Sequence, residues 1–484
     1  MEENLESRKI ISATKWSFVT QVIAKMISPL TTLILAHILQ PSAFGVVATV
    51  TMVVSFATMI ADSGFQKYLI QHNFVDLNER NDFADVAFWS NLVVSMLLWS
   101  VVAVFNEPLA ALVGNPGLGF VLVVAGVNIP LASFIGVQTG IYQRAYSFKA
   151  LFWSRFVSSL VMVAMALPCA LMGLDYWSMI VATIASNTLM AVWLTIQSEW
   201  KPRAFFRFAI LRQMLSFSIW SLFEACAIWL TSWSGAFIVG TVFDSTHLGM
   251  YKTSVSVVSG INGVVTGAIV PIIFTSLSRM QSDMSHFRAS CLKMQGMAAL
   301  CVVPLSIGLF CFRDLATYFL LGEQWMETSL LLGLYAMMSG FCFITGGIGS
   351  EAYRALGKPK YSLALQVLYL CFVIPGYYFS SLYGYECFSF AVPAVNIVYC
   401  VLHIAMMRYL VGIRISAIFK NSFDVCAISC LVCVGSTAVL ALCGTYVEQV
   451  LVLIASVIVY TALSALIPRT RCAYLSLFKM FLAR

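Results

Sequence analysis

Apolar residues in this chain come in long unbroken runs, and the charged residues collect between them. The runs do not alternate as a half-buried strand would, nor do they recur as a single helical stripe. A segment that is apolar on every side is a helix buried in a bundle or in lipid, and about 20 such residues cross a bilayer. The pattern predicts fourteen spans, at residues 13–38, 44–63, 85–106, 118–140, 153–173, 176–197, 215–242, 249–275, 296–318, 326–350, 361–381, 387–407, 423–443 and 449–467. Two neighbouring pairs are parted only by the short breaks 173–176 (GLDY) and 383–386 (YGYE). Strands of a membrane barrel would alternate apolar and polar residues. The expectation is therefore an all-α polytopic membrane protein of about 14 transmembrane helices.

Composition narrows the class further. Of 484 residues, 60% are hydrophobic and 10% charged, against about 45–50% and about 25% in soluble domains. A soluble enzyme, a nucleic-acid binder and a disordered chain are excluded. The net charge of +7 reports topology. With the first residues placed in the cytoplasm, 25 of the 28 Lys and Arg fall on inside segments or span ends, and Arg313 alone falls outside. Lys25 and Lys252 fall within spans. This bias predicts an even number of spans with both termini cytoplasmic. Most of the 14 Cys sit inside apolar runs, as small packing residues in reduced form. The first run is too long for a signal-peptide core and lacks a small-residue cleavage site, so it reads as an uncleaved span. The segments 200–212 and 471–484 mix aromatic and basic residues, as interfacial helices or as ordinary basic loops.

The chain also resembles itself. Residues 38–45 (ILQPSAFG) align with 242–249 (VFDSTHLG) at an offset of 204, as do Asp82-Phe83 with His286-Phe287. Val113-Gly114 aligns with Leu321-Gly322 at 208, and Arg144 with Arg354 at 210. The expected organisation is an N-terminal six-helix lobe (1–212), a C-terminal six-helix lobe (213–420) related to it by a pseudo-twofold, and a terminal helix pair with a basic cytoplasmic tail (421–484). Transporters built of such repeats bind substrate at the repeat interface.

Catalytic signatures are missing. There is no phosphate-binding loop of the GxxxxGK type and no HExxH motif. Cys430 and Cys433 have metal-site spacing but lie mid-span without further ligands, and the glycines of 347–352 (GIGSEA) follow no strand. An enzyme reading has little support, and neither a cofactor nor a metal is indicated. What remains is charge within the membrane. Lys25 lies near the middle of its span, where Lys costs about 2.5–3.5 kcal/mol to insert. Gln21, Lys25, Ser28 and Thr32 form one polar stripe. Two compatible readings stand: a cavity cation for an anionic head group, or an ion pair with Glu224, which shares a face of span seven with Ser221 and Thr231. Lys252 is either a second cavity cation or a side chain snorkelling to the interface. Asp62 ends span two as a turn residue or a substrate contact. Gly260, Gly263 and Gly267 with Pro271, and Gly340, Gly346, Gly347 and Gly349, allow bending and close packing. Trp16, Trp89, Tyr176, Trp177, Trp325 and Tyr383 lie near span ends, as interfacial-belt residues do.

Several segments carry a family likeness: 35–45 (LAHILQPSAFG), 62–71 (DSGFQKYLIQ), 88–91 (FWSN), Gln143-Arg144 with Phe148-Lys149, 248–251 (LGMY) and 271–281. In these the chain resembles the polysaccharide transporter, Wzx-like flippases of the multidrug/oligosaccharidyl-lipid/polysaccharide exporter superfamily, in its colanic-acid-type branch. The likeness covers most of residues 8–415. It implies two six-helix lobes around a central cavity in a bacterial inner membrane. It also implies a cargo of undecaprenyl-pyrophosphate-linked oligosaccharide for exopolysaccharide or lipopolysaccharide synthesis. A polysaccharide polymerase and a chain-length regulator would be its partners. Lys25, Gln21 and Lys252 would bind the pyrophosphate, and Glu224 and Asp62 are the coupling or ion-pair candidates. A rich set of intramembrane arginines, as in lipid II flippases, is missing, which argues against lipid II as cargo. The alternative is an ion-coupled small-molecule exporter of the same superfamily.

Overall fold

The computed structural model describes residues 30–471 other than 63, 279, 282, 359 and 469, with all side chains in that range except 216–221, 268, 271, 272 and 274–276. Gln21, Lys25 and Trp16 lie outside the described residues. The described residues form no strand. After a helical stretch over 30–36 come α1 (Pro41–Asp62), α2 (Phe65–Gln71), α3 (Leu77–Val104), α4 (Asn106–Leu112), α5 (Gly119–Ala125), α6 (Asn128–Arg144), α7 (Phe148–Leu171), α8 (Tyr176–Gln197), α9 (Phe208–Val242) and α10 (Ser245–Ser278). There follow α11 (Met284–Cys311), α12 (Arg313–Leu321), a 3₁₀ turn (Glu323–Thr328), α13 (Ser329–Cys342), a π turn (Phe343–Gly347), α14 (Ile348–Ala355), α15 (Lys360–Ser381), α16 (Tyr385–Met406) with a π turn at its end (Met407–Val411), α17 (Ile415–Leu440) and α18 (Tyr446–Leu466).

Twelve helices among the described residues are long and apolar enough to cross a membrane. The protein is a multi-pass membrane protein. The predicted span 118–140 is two helices, α5 and α6, broken at Gly126-Val127, and the predicted 296–318 begins instead at Met284 and stops at Cys311. Hydropathy misplaces this start because the first turns of α11 carry His286, Arg288 and Lys293. No helix forms over residues 198–207. Trp325 is no belt residue, since it is fully buried.

Helix starts follow local chemistry. Asp76 accepts the Glu79 backbone N–H at 2.7 Å, and the Glu79 carboxylate accepts that of Val75. At α18 Thr445 and Glu448 form a reciprocal capping box, in which the Glu448 carboxylate accepts the N–H of the cap residue Thr445 itself. Asp283 caps α11. The Ser285 hydroxyl and the His286 ring and N–H hold its carboxyl well below the usual carboxylate range. The tight breaks use left-handed backbone, at Gly173 (φ 80°) before α8 and Gly384 (φ 104°) before α16.

The chain packs as two compact units dividing at Lys252–Thr253, within α10. In the first unit, Phe65, Leu69, Phe83, Phe88, Val137 and Met214 form one core cluster, and Val46, Val50, Leu122, Ile129 and Ile180 another. In the second, Phe287, Cys291, Ile348, Tyr353, Met407 and Val411 pack together. Polar side chains inside the bundle meet one another: Ser95 with Ser133 at 2.7 Å, Asn187 with Asn128 at 2.8 Å, Ser254 with Thr328 at 2.8 Å and Asn262 with Ser339 at 2.6 Å. Each such bond between membrane helices contributes about 0.6 kcal/mol. The π turn after α13 frees the Ile344 carbonyl, which accepts from Gln295 at 3.3 Å. The described cysteines are free.

Traces of the internal repeat appear in this element order. A short helix follows α3 and again follows α11, ending before Gly114 and Gly322, and Asp76 and Asp283 cap the two long helices. The repeat meets itself within the first unit. A Cβ on Gly45 would lie 1.7 Å from the Ser245 carbonyl oxygen, and one on Gly249 would lie 1.9 Å from that of Pro41. Both pairs, 41 with 245 and 45 with 249, are repeat mates at the offset of 204. The first turns of α1 and α10 therefore cross in reciprocal contact, backbone on backbone.

Gly45→Ala forces these turns apart, because the obstacle is a carbonyl and not a yielding side chain. The expected loss is about 1–3 kcal/mol, read as a lower melting temperature in detergent. Gly308→Ala, with nothing within 4 Å of the added Cβ, leaves melting within a degree or so of the parent.

Candidate functional site

In the first unit a cavity of about 540 Å³ opens between α1, α2, α6 and α8. Thr51, Ser55, Thr58 and Asp62 line it from α1, Gln66 from α2, Asn128 and Gly136 from α6, and Thr183 and Asn187 from α8. Eight of the eighteen lining residues are polar, three of them because α1 repeats small hydroxyl residues about a turn apart. Thr58 and Thr183 donate to carbonyls of their own helices, at 3.0 and 2.7 Å. The Asp62 Oδ1 is buried with no hydrogen-bond partner among the described residues. It lies 3.6 Å from where a Gly136 Cβ would stand, so the glycine leaves this oxygen its space.

Glu224, half-exposed on α9, meets Lys67 of α2 at 3.5 Å. The sequence pairs Glu224 with Lys25; the described partner is Lys67, five residues beyond Asp62. Lys252 is held otherwise. Its ammonium lies 3.6 Å from the centroid of the Trp233 ring, and no carboxylate among the described residues is within ion-pair distance of it. Such a contact is worth about 2 kcal/mol or more when desolvated. Trp229, one turn before Trp233, donates from its indole N–H to the Ser55 hydroxyl at 3.0 Å. Thr231 donates to Ala227 of its own helix and contributes to neither contact.

Reading the sequence missed Lys67, Trp229, Trp233, Asn128 and Asn187. The signal for the two tryptophans was available, because they are four residues apart within a span and so share a helical face. It also missed Asp85. This fully buried carboxylate accepts from the Trp200 indole at 2.9 Å and from the Arg203 N–H and Nε at 3.1 and 2.8 Å. Arg203 reaches Asp82 as well, at 2.8 Å. The lock ties loop 198–207 to α3 and explains why that segment is not a free interfacial helix.

The second unit holds an apolar cavity of about 640 Å³ between α11, α12, α17 and α18, with no charged residue in its lining. Among the described residues no group of three or more His, Cys, Asp or Glu could hold a metal ion.

Residues 34–330 match the family described as "Polysaccharide biosynthesis protein". The chain belongs to this family. Similar proteins include the succinoglycan biosynthesis transport protein ExoT of Rhizobium meliloti (strain 1021), 26% identical over 70% of this chain and 68% of that one. The lipopolysaccharide biosynthesis protein WzxC of Escherichia coli (strain K12) is 19% identical over 71% and 69%. Among solved structures, the lipid II flippase MurJ in an inward closed conformation aligns with a TM-score of 0.73 at 13% identity, covering 98% of this chain and 99% of that one. An inward-facing multidrug resistance MATE transporter of the MOP superfamily aligns at 0.60 and 12%, covering 84% and 99%. This family member thus shares its fold with two classes of membrane transporter.

The Lys67–Glu224 pair is half-exposed, and exposed pairs contribute about 0.2–1 kcal/mol. A double-mutant cycle with Lys67→Ala and Glu224→Ala should give a coupling in that range by thermal unfolding. A coupling above roughly 2 kcal/mol would show a desolvated pair and contradict the exposure described here.

Proposed function

We propose that this member of the polysaccharide biosynthesis family is a flippase. It moves undecaprenyl-pyrophosphate-linked oligosaccharide repeat units across the bacterial inner membrane by alternating access, for exopolysaccharide or lipopolysaccharide synthesis. The observation that carries this reading is Lys252, a cation inside an apolar bundle whose contact is a ring face and not a carboxylate. An ammonium held this way keeps its charge available to an incoming anion, and a pyrophosphate supplies one. Family membership and the transport function in the name of one relative, ExoT, support the same reading.

In this mechanism the lobes 1–212 and 213–420 rock about a central site that holds the head group, while the isoprenoid tail stays in lipid. Both termini lie in the cytoplasm. Lys252, Lys25 and Gln21 bind the pyrophosphate. Asp62 and Glu224 are the coupling candidates. Asp62 lines the polar cavity, and its Oδ1, without a donor among the described residues, would take up a proton or a small cation. The protein acts as a transporter without catalysis and hands its cargo to a polymerase and a chain-length regulator. Asp62 also favours a second reading, an ion-coupled exporter of small molecules, since an acid facing a cavity suits an organic cation.

Lipid extracts of a deletion strain separate the two. The flippase reading predicts that complete lipid-linked repeat units accumulate, and that the wild-type gene clears them. Lys25→Ala or Lys252→Ala should lower polymer export by roughly tenfold or more, since removing one partner of a desolvated charge contact costs about 2–5 kcal/mol. Unchanged polymer, no accumulation and altered dye resistance would favour the exporter.

A further inference from the structure

Ser55, Thr58 and Asp62 follow one another at helical spacing, so they share the face of α1 that lines the polar cavity. The two hydroxyls offer that cavity lone pairs and not protons. Ser55 donates to the Met52 carbonyl at 3.0 Å, and Thr58 to the Ser55 carbonyl at 3.0 Å. Elsewhere in the lining the donors are likewise engaged. Thr183 donates to Met179 at 2.7 Å, the Asn187 amide to Asn128 at 2.8 Å, and the Gln66 amide to Gln143 at 3.4 Å.

Asp62 stands at the end of this row. Backbone N–H groups of Gly64 and Gln66 bond its carboxylate and fix how it lies. Its Oδ1 has no donor among the described residues. Nor is any Lys, Arg or His among them within ion-pair distance of it; Lys67, five residues on, is turned to Glu224.

Three occupants compete for this oxygen. Water meets lone pairs but not charge, and a carboxylate left uncompensated inside a bundle is costly. A proton meets the charge, but it serves one acceptor and needs no room beside it. A metal ion needs several oxygens and the room to reach them, and the cavity supplies both. Thr58 lies one turn before Asp62 with its hydroxyl proton already spent. Gly136 keeps the space at Oδ1 clear, since a Cβ there would lie 3.6 Å from that oxygen and meet nothing else within 4 Å. One carboxylate among neutral oxygens balances a single positive charge. Carboxylate and other oxygen ligands suit hard cations, in contrast to the softer metals that Cys and His hold.

We propose that Asp62, Thr58 and the open position at Gly136 form a binding site for a monovalent alkali-metal cation. Asp62 Oδ1 and Thr58 Oγ1 are its protein ligands, and water completes the shell, for which a cavity of about 540 Å³ has room. The proposal rests on the reading of this chain as a transporter with Asp62 as a coupling residue, and it names the ion.

The test measures saturable binding of radioactive sodium to the purified full chain in nanodiscs, at neutral pH and without cargo. The wild type should bind one ion per chain. Gly136→Ala is the sharpest variant, because its methyl meets only the Asp62 oxygen. It should weaken sodium binding roughly tenfold or more, the scale on which disturbed metal sites lose affinity, while melting as the parent does in sodium-free buffer. Asp62→Asn should abolish binding, Thr58→Val should weaken it, and Thr58→Ser should restore it. Sodium binding that is unchanged in both Gly136→Ala and Asp62→Asn would overturn the site. So would a wild type that binds no sodium but takes up a proton that Asp62→Asn does not, which would assign the oxygen to a proton. Because cargo is absent, either failure leaves the flippase reading standing; that reading fails instead on the lipid extracts of the deletion strain.

Discussion

A polar group that enters hydrocarbon must find its partner inside the protein, because no water is there to supply one. Most of this structure obeys that constraint directly. Its backbone is helical, its freed carbonyl at Ile344 is met by Gln295, and its buried amides and hydroxyls pair across helices. Two of the candidate site residues depart from it. Lys252 has an aromatic face where an acid would be expected, and Asp62 has an oxygen with no donor among the described residues. In the proposed mechanism these are the groups that meet cargo and a coupling ion.

The same constraint explains why the bundle depends on glycine where the repeat mates cross. With apolar lipid on the outside, burying apolar surface does not drive helices together, so close approach and dispersion do. Gly45 against Ser245 and Gly249 against Pro41 bring two backbones into contact at equivalent positions. Asp85 fixes loop 198–207 to α3 through three hydrogen bonds to a carboxylate with no exposure.

Much of the fold was legible in the sequence because membrane helices leave a one-dimensional mark. The apolar runs lie on α1, α3, α7, α8, α9 and α15 to α18, although α3, α9 and α17 begin about two turns before the predicted spans. Hydropathy averages over a window, however, and so passed through the break at Gly126 and missed the polar first turns of α11. Chemistry within the site was less legible. Lys252, Glu224 and Asp62 stand out because charge in an apolar run is costly wherever it occurs. Their partners do not, since Lys67 is 157 residues from Glu224 and Trp233 looks like any apolar residue. Trp325 reads as an interfacial residue by position alone, yet it is wholly enclosed.

The central claim is that the chain itself carries a lipid-linked saccharide from one leaflet to the other. The most direct measurement reconstitutes the full protein in liposomes that hold a fluorescent undecaprenyl-pyrophosphate-linked oligosaccharide in both leaflets. A glycosidase added outside then reads how much sugar is reachable. The account predicts that about half is cleaved in empty liposomes and nearly all in liposomes carrying the wild-type protein, with a clear slowing in Lys252→Ala. Cleavage that stops at the outer leaflet with wild-type protein present, under an imposed proton or sodium gradient and without one, would contradict it.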